Sequence, residues 1–499
     1  MRDYQFMGAK DQYSIGIDFG TSNLKVGIYT GGKAKIQKLS KDISGDQFEP
    51  NIITREKRKD GTYFFEIGKA AQKELKNIDA DEMTFVYNVK KHLCEENWEV
   101  TFHDGYQSTA IDLSSEVFQW ILDKIQTMKG KKLPEKVVIT VPVTYSEMQA
   151  ARIRKAAEQA NISVDGVISE PIASFFSFEE CSDFLEDDEE KNVFIFDFGG
   201  GTIDAALIHL EYVQGIHKIS VLSSSGIAFG GSDITNLIIE QIIYPALDDE
   251  TIQKLESVKS QFYLDVDNAK IRMFADEEEE KDGYYTLNGE QIDYFFSEEQ
   301  ISACLEKLPI KNQIIQMLDQ MMEDADLDPE DDEISVHFIG GGSSIPYFRM
   351  ILEEYFQTEL DDYDEDEAMG YVAVGAAAYI GIMEEENNIL FENRSAFQIV
   401  GELDTGGIYL NRNALYENKT NKKPLMTVLG SEKKYMKFYQ KFSPKSEKIY
   451  LGYLDLNDPK YEQAVLFDLK ICYNGKIEAE LYGQSNESLG KEWLITEEL

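Results

Sequence analysis

A glycine-rich hairpin that occurs twice constrains the fold of this chain more than any other feature of its sequence. Residues 13–29 have the pattern of strand, turn and strand around Ile17-Asp-Phe-Gly-Thr21. Residues 193–208 repeat that pattern around Phe196-Asp-Phe-Gly199, with Thr202 directly after the turn. Each copy therefore carries an aspartate before its glycines and a threonine after them. This repetition predicts an internal duplication, with two similar lobes that face each other.

The two turns have the composition of phosphate-binding loops. A phosphate chain needs backbone N–H groups aimed at its oxygens, and glycine lets the backbone approach closely enough. The hydroxyl groups of Thr21, Ser22 and Thr202 would add donors. Asp18 and Asp197 could hold a Mg²⁺ ion through water molecules, because Mg²⁺ sheds its hydration reluctantly.

A third glycine turn, residues 340–343, lies between a predicted strand and a predicted helix. Flexible glycines at a helix N-terminus favour an anion, since the first N–H groups of a helix have no partner within it. Together the three turns predict a binding site for nucleotide phosphates. The chain contains neither the GxxxxGK[ST] pattern of P-loop proteins nor the His-Arg-Asp catalytic loop of protein kinases, so both folds are excluded.

Strand and helix patterns alternate up to about residue 383, which indicates layered α/β structure. Beyond about residue 388 the helical spacing disappears, and short strands follow with a tight-hairpin signal at Asn474-Gly475. We therefore predict an N-terminal extension (1–12), an actin-like nucleotide-binding domain (13–386), a linker (387–395) and a β-sandwich domain (396–499).

Charge restricts the partners that can be expected. The chain has 49 basic and 92 acidic residues, a formal net charge of -43. Such a surface repels nucleic-acid phosphates and anionic lipid headgroups. We find no signal-peptide pattern and no apolar run long enough to span a bilayer, and the four cysteines are widely spaced. We expect a cytoplasmic protein that binds neither nucleic acid nor membrane.

The order of several motifs resembles the seventy-kilodalton heat-shock chaperone family, over about residues 13–383. The motifs are Ile17-Asp-Phe-Gly-Thr-Ser22, Val138-Ile-Thr-Val-Pro142, Ser169-Glu-Pro171, Phe196-Asp-Phe-Gly-Gly-Gly-Thr-Ile-Asp204, Phe229-Gly-Gly-Ser-Asp233 and Gly341-Gly-Ser-Ser-Ile-Pro346. The tail is more weakly similar to the peptide-binding β domain of that family, at residues 404–408 and 467–477. We expect the helical lid of that family to be absent. The resemblance implies an actin-like, two-lobed ATPase fold of duplicated ribonuclease-H-like subdomains, followed by a small all-β sandwich.

The same resemblance implies roles for individual residues around ATP or ADP and Mg²⁺. Asp18 and Asp197 would order the metal-bound waters, Glu170 would help to position that solvent, and Pro142 would act as a hinge switch. Gly230, Gly231 and Lys270 would line the nucleoside side. The other residues implied in the nucleotide site are Gly20, Thr21, Ser22, Gly199, Gly200, Gly201, Thr202, Gly341, Gly342 and Ser343.

The position of the catalytic lysine depends on the register of residues 68–73. An ungapped match puts Gln72 where the family has this lysine, whereas one inserted residue before Phe85 would put Lys73 there. We predict that Lys73 supplies the positive charge facing the phosphates. With Gln72 in that place, hydrolysis would be very slow, because a charge that stabilises the transition state would be missing. Ser344 also stands where the family has the arginine that flanks the adenine.

We therefore expect a lidless, chaperone-like protein that binds ATP and hydrolyses it slowly to control the binding of an extended polypeptide client. J-domain and nucleotide-exchange co-chaperones are the further partners that the resemblance implies. A non-hydrolysing, nucleotide-gated scaffold of the same fold is the alternative. A filament-forming protein or a sugar kinase of the same fold is disfavoured by the β domain at the end of the chain.

Overall fold

The structure is a computed structural model of the whole chain. It describes residues 12–40, 48–75, 85–95, 97–130, 132–178, 181, 190–329, 333–361, 365–385, 389–401, 408–411, 414–416, 418–420, 422–424, 435–442, 447–472 and 476–496. The predicted N-terminal extension thus lies almost entirely outside the described residues, as do the sequence motif at 404–407 and the Asn474-Gly475 turn.

The first lobe is built on a six-stranded sheet. The strands of this lobe are β1 (Ser14–Phe19), β2 (Asn23–Thr30), β3 (Lys33–Ile36), β4 (Glu49–Pro50), β5 (Ile52–Lys57), β6 (Tyr63–Ile67), β7 (Phe85–Tyr87), β8 (Glu99–Thr101), β9 (Gln107–Thr109), β10 (Val137–Val141) and β11 (Gly166–Ser169). Its helices are α1 (Lys69–Leu75), α2 (Val89–His92), α3 (Ala110–Met128), α4 (Glu147–Gln159) and α5 (Glu170–Phe175). The main sheet has the order β11-β10-β1-β2-β3, and its sixth strand, β4, also pairs with β2. Strand β1 is antiparallel to β2 and parallel to β10.

The second lobe repeats this topology. Its strands are β12 (Lys191–Phe198), β13 (Ile203–Val213), β14 (Ile216–Ile227), β15 (Glu280–Leu287), β16 (Glu290–Ser297) and β17 (Ile334–Ile339). Its helices are α6 (Gly231–Leu237), a π-helical turn (Ile238–Ile243), a 3₁₀ turn (Tyr244–Ala246), α7 (Asp249–Ser257), α8 (Lys259–Ala275), α9 (Glu298–Leu305), α10 (Ile310–Ala325) and α11 (Pro346–Phe356). In the order β17-β12-β13-β14, β12 is antiparallel to β13 and parallel to β17, as β1 is to β2 and β10. The predicted duplication and the two-lobed α/β fold are confirmed.

A long helix, α12 (Glu365–Glu385), joins the lobes. It packs on β1, β2 and α5 of the first lobe and carries small residues where the backbones come close. A Cβ atom on Gly16 of β1 would lie only 2.5 Å from the backbone nitrogen of Ala377. Close approach of helix and sheet thus depends on positions without side chains. Among the described residues, no helix is both long and apolar enough to cross a membrane.

The C-terminal part is a sandwich of two four-stranded sheets around one apolar core. Their orders are β20-β19-β22-β23 and β21-β24-β25-β26. The strands are β19 (Gln398–Gly401), β20 (Ile408–Leu410), β21 (Lys423–Pro424), β22 (Tyr435–Lys441), β23 (Ile449–Asp455), β24 (Leu466–Ile471), β25 (Ile477–Tyr482) and β26 (Ser488–Trp493), with a 3₁₀ turn at Pro459–Tyr461. Phe438 and Phe467, from the two sheets, meet with ring centroids 5.7 Å apart. The predicted all-β domain is confirmed.

The segment between the two parts is a strand of the second lobe. Residues Ile389–Glu392 (β18) run parallel to β14, with His217 opposite Ile389. The sandwich itself contacts the first lobe, where the backbone nitrogen of Glu147 donates to Oε1 of Gln440 over 2.9 Å. Glu147 and Gln440 are both buried in this contact. This strand lies within the segment that we predicted as a linker (387–395), and its pairing with β14 makes it part of the second lobe's sheet.

Candidate functional site

The three glycine turns meet at one cavity of about 460 Å³ between the lobes. The first hairpin contributes Asp18 and residues 20–23, the second Asp197 and residues 199–202, and the third turn residues 340–342. Each turn follows a buried strand, namely β1, β12 or β17, and the topology brings the ends of these strands to the same cleft. The duplicated fold therefore assembles in space what the sequence repeats along the chain.

The glycines of the second hairpin allow the two turns to touch. A Cβ atom on Gly201 would lie 2.9 Å from Oγ1 of Thr21, and one on Gly200 would overlap the hydroxyl of Ser22. Gly340 has a φ of 84°, and a Cβ there would lie 2.5 Å from Oδ1 of Asp197. Larger residues at these positions would push the turns apart and would fill the space between their backbones.

Most of the residues implied by the family resemblance lie on the cavity wall. They are Asp18, Gly20, Thr21, Ser22, Glu170, Asp197, Gly199, Gly200, Gly201, Thr202, Gly231, Lys270, Gly341 and Gly342. Gly230 and Ser343 are not among the described lining residues, but they shape the turns from behind. The backbone nitrogen of Gly230 donates to Asp233 over 2.8 Å, and the hydroxyl of Ser343 donates to the carbonyl of Gly340 over 2.8 Å. Pro142 lies behind the cavity, in a small pocket facing the sandwich domain.

The structure places Gln72, rather than Lys73, at the cavity wall. Lys69 and Gln72 of α1 both line the cavity, whereas Lys73 is exposed and is not among the described lining residues. Residues three apart share a helix face, and the next residue is turned by about 100°. This geometry corrects the predicted register, because the wall carries a neutral amide where we expected the Lys73 ammonium. Lys69, which the sequence analysis did not select, is the lysine of α1 that reaches the wall.

A group of buried carboxylates forms the centre of the site. Burial raises the pKa of Asp197 well above its usual range, and the nearby Glu170 carboxylate raises it further. Burial also raises the pKa of Glu170, although Lys90 opposes this shift. The Lys90 ammonium donates to Oε1 of Glu170 over 2.7 Å, and its side chain is 1% exposed. Glu170 is therefore held in a fixed orientation at the start of α5.

Lys25, like Lys90, is a residue of this centre that the sequence analysis did not select. It lies directly opposite Asp18 in the β1–β2 pairing, and its Nζ is 2.9 Å from Oδ2 of Asp18. Burial alone would lower the pKa of Lys25, but Asp18, Asp197 and Glu170 outweigh that effect, so its pKa is raised. The signal was available, because a short hairpin fixes which residues face each other across its two strands.

A further part of the cavity wall, predicted to line the nucleoside, is formed by residues of α8. The Lys270 ammonium donates over 2.7 Å to each of three acceptors, the carbonyl of Gly231, the hydroxyl of Thr235 and Oδ1 of Asp267. Its hydrogens are thus all shared within the protein, so Lys270 orders α6 against α8. Arg272, Phe274 and Ser344 also line the cavity.

Comparison with known proteins agrees with this architecture. The family model described as "Hsp70 protein" matches residues 14–399. The chain belongs to the Hsp70 family. The "Chaperone protein DnaK" of Stenotrophomonas maltophilia (strain R551-3) is 26% identical over 398 residues, which cover 74% of this chain and 59% of that protein. This Hsp70-family chain thus spans less than two thirds of the length of that curated relative.

Asp204 links the site of this Hsp70-family chain to the segment after Pro142. It lies opposite Asp197 in the β12–β13 pairing, and its Oδ1 accepts from the backbone nitrogens of Val143 at 2.6 Å and Thr144 at 3.3 Å. Burial, followed by the Glu170 carboxylate, raises the pKa of Asp204 from 3.8 to about 7. One carboxyl group therefore connects the second hairpin with the first lobe at the predicted hinge.

We expect Asp204→Asn to make the stability of the protein less dependent on pH between about 4 and about 7. Because the folded-state pKa lies above the unfolded value, the folded state binds this proton more tightly, and stability falls as pH rises from about 4 to about 7. Asparagine keeps the accepting oxygen but has no proton to lose. The difference in thermal midpoint, variant minus wild type, should therefore be larger at pH 8 than at pH 5. A difference between the two proteins that does not change with pH would contradict this assignment.

Proposed function

We propose that this chain binds ATP in the cavity between its lobes, hydrolyses it slowly, and uses the nucleotide state to control the binding of an extended polypeptide client. The observation that carries the proposal is the meeting of three glycine turns and two hairpin aspartates on one cavity wall. Membership of the Hsp70 family and similarity to a protein named as a chaperone support it.

The residues of the cavity fit a nucleotide. A volume of about 460 Å³ lies within the range of small-ligand pockets. The glycine turns offer backbone N–H groups, and Phe274 and Ile345 offer apolar surface on the same cavity wall. Asp18 and Asp197 would hold Mg²⁺ through water, and that ion would neutralise charge on the phosphate oxygens. ADP would occupy the same site after hydrolysis.

Hydrolysis would depend mainly on the positioning of water by residues of the chain. Glu170 is fixed by Lys90 and could accept a hydrogen bond from the attacking water, while Asp197 and Thr202 approach from the second lobe. The Thr202 hydroxyl also hydrogen-bonds with Asp204, which ties it to the predicted hinge. We expect slow turnover because Gln72 presents no positive charge to the transition state.

Gln72 is also the observation that favours the second candidate function. If Lys69 does not replace the missing charge, the chain would bind ATP without hydrolysing it. It would then act as a nucleotide-gated scaffold, whose lobes open and close on binding alone. Such gating requires only that the nucleotide binds the two conformations with different affinity.

The arrangement of the sandwich domain supports coupling to the nucleotide site. β18 extends the sheet that contains the second hairpin, and Glu392 at its end pairs with Lys218 of β14 at 3.3 Å. The sandwich contacts the first lobe at Glu147, close in sequence to the predicted hinge at Pro142. A change in the angle between the lobes would therefore move β18, which is attached to the second lobe, relative to the contact of the sandwich with Glu147 in the first lobe. A polypeptide client, J-domain and nucleotide-exchange co-chaperones and a cytoplasmic location remain parts of this proposal.

Calorimetry with Mg²⁺ and ATP, followed by a phosphate-release assay, tests the proposal. We expect saturable binding and slow release of phosphate by the wild type. Asp197→Asn should reduce phosphate release by about 100-fold or more, because Asp197 would help to hold the metal-bound waters that stabilise charge on the phosphates. Asp282→Asn makes the same chemical change at an exposed strand position and should leave release unchanged.

The outcomes separate the two candidates. Tight ATP binding without phosphate release would establish the scaffold, and no affinity for any nucleotide would overturn both candidates. Protease cleavage near Ile389, compared with and without ATP, reports on coupling. An identical cleavage pattern would contradict control of the sandwich domain by nucleotide.

A further inference from the structure

The ammonium group of Lys25 lies within the carboxylates of the phosphate site. Its Nζ is 2.9 Å from Oδ2 of Asp18, and the side chain is 14% exposed. Asp197 and Glu170, from the second lobe and from α5, also interact electrostatically with this ammonium. The group therefore lies at the meeting point of both lobes, on the wall of the same cavity.

The two hairpins differ at this position. The residue opposite Asp18 is Lys25, whereas the residue opposite Asp197 is Asp204. Lys25 and Asp204 occupy equivalent positions in the two strand pairings, so the duplicated fold has a cation in one lobe where it has an anion in the other. The first lobe thus brings its own positive charge next to its hairpin aspartate.

A triphosphate entering this cavity meets a concentration of negative charge. Asp18, Asp197 and Glu170 all line the cavity, so a bound anion requires compensation by a cation. Lys25 supplies one that is covalently fixed and already positioned. It also occupies one oxygen of Asp18, while the other accepts a hydrogen bond from Thr140 at 3.4 Å. Asp18 therefore has less capacity left to hold the hydration shell of a divalent ion.

We propose that the Lys25 ammonium is a built-in cation of the phosphate site, which acts beside the Mg²⁺ assigned to Asp18 and Asp197 and reduces the dependence of nucleotide binding on that ion. This inference rests on the proposed binding of ATP and adds the way in which its charge is balanced. Lys25 would compensate the hairpin carboxylates and face the phosphate oxygens as a charge-assisted donor.

The test compares ATP affinity in Mg²⁺ with ATP affinity in excess EDTA, both measured by calorimetry. For the wild type, the dissociation constant in EDTA should exceed that in Mg²⁺ by less than about tenfold. For Lys25→Met the ratio should exceed about 100-fold, because a charge-assisted contact corresponds to about 10- to 100-fold in affinity and Asp18 becomes free for metal-bound water. Lys25→Arg should restore a low ratio.

Lys35→Met is the matched control. Lys35 lies on the neighbouring strand β3 of the same sheet, is exposed and does not line the cavity among the described residues. Its ratio should equal that of the wild type. Thermal unfolding without nucleotide shows whether each variant is folded before its ratio is interpreted.

Three results would overturn the inference. The first is a wild-type ratio above about 100-fold, which needs no variant and leaves the proposed ATP binding intact. The second is a ratio for folded Lys25→Met equal to that of the wild type, which would reduce Lys25 to a structural ion pair. The third is a wild type with no affinity for ATP in either buffer, which would contradict the proposed function itself.

Discussion

Gly341→Val is expected to abolish ATP binding while leaving the fold intact. Gly341 lines the cavity, and a Cβ atom there would meet no atom of the described residues within 4 Å. The left-handed backbone of this turn is carried by Gly340, so Gly341 can accept a side chain without that strain. The valine methyl groups would occupy the space that we assign to the phosphates. We expect a loss of affinity of about 100-fold or more, comparable to the loss of two good polar contacts.

Calorimetry with ATP measures this loss, and circular dichroism and the thermal midpoint verify the fold. Gly341→Ala provides a graded comparison, since one methyl group should weaken binding less than three carbon atoms do. Gly340→Ala should instead impair folding, because it combines a φ of 84° with a close contact to Asp197. A folded Gly341→Val protein with wild-type affinity would show that the nucleotide does not use this turn.

Gly375→Ala is expected to destabilise the protein strongly, whereas the same substitution at Gly370 should stabilise it. Both glycines lie in α12. A Cβ atom on Gly375 would overlap the carbonyl oxygen of Ala173 in α5, and backbone atoms at such an interface cannot move aside easily. Among the described residues, a Cβ atom on Gly370 would meet no atom within 4 Å. We expect a cost of about 3 kcal/mol at Gly375, from overpacking. At Gly370 we expect a gain of up to about 1 kcal/mol, from helix propensity.

Thermal and chemical unfolding of the two variants provide the measurement. Because each substitution adds the same methyl group to the same helix, the difference in sign isolates the contact with α5. Equal effects of the two substitutions would mean that α12 does not approach the first lobe as closely as the structure shows. The prediction is independent of ATP, so it tests the fold separately from the function.

The sequence was sufficient to predict the two-lobed architecture, because the pattern around each glycine turn predicts the local structure without information from the rest of the chain. An Asp-Phe-Gly pattern after an apolar run predicts a buried strand and a tight turn whatever surrounds it. Two copies predict two similar lobes, and the repeated strand order confirms this. The β-rich tail was likewise visible as a change in local pattern.

The composition of the cavity wall was harder to predict, since it depends on which face of an element points inward. A one-residue ambiguity around α1 was enough to exchange Gln72 for Lys73, and only the helix geometry separated them. Lys25 was missed because its importance comes from three carboxylates, two of which lie far away in the chain. Sequence separation conceals such electrostatic groupings.

By itself the sequence determined which segments form strands, helices and glycine turns, because backbone preferences and apolar periodicity act over a few residues. The tertiary structure decided that Asp18, Asp197 and Glu170 surround one lysine. It also decided that β18 joins the sheet of the second lobe and that the sandwich rests on Glu147. The physical reason is that charge, burial and sheet-edge pairing depend on distances in space, which are set only when the lobes pack.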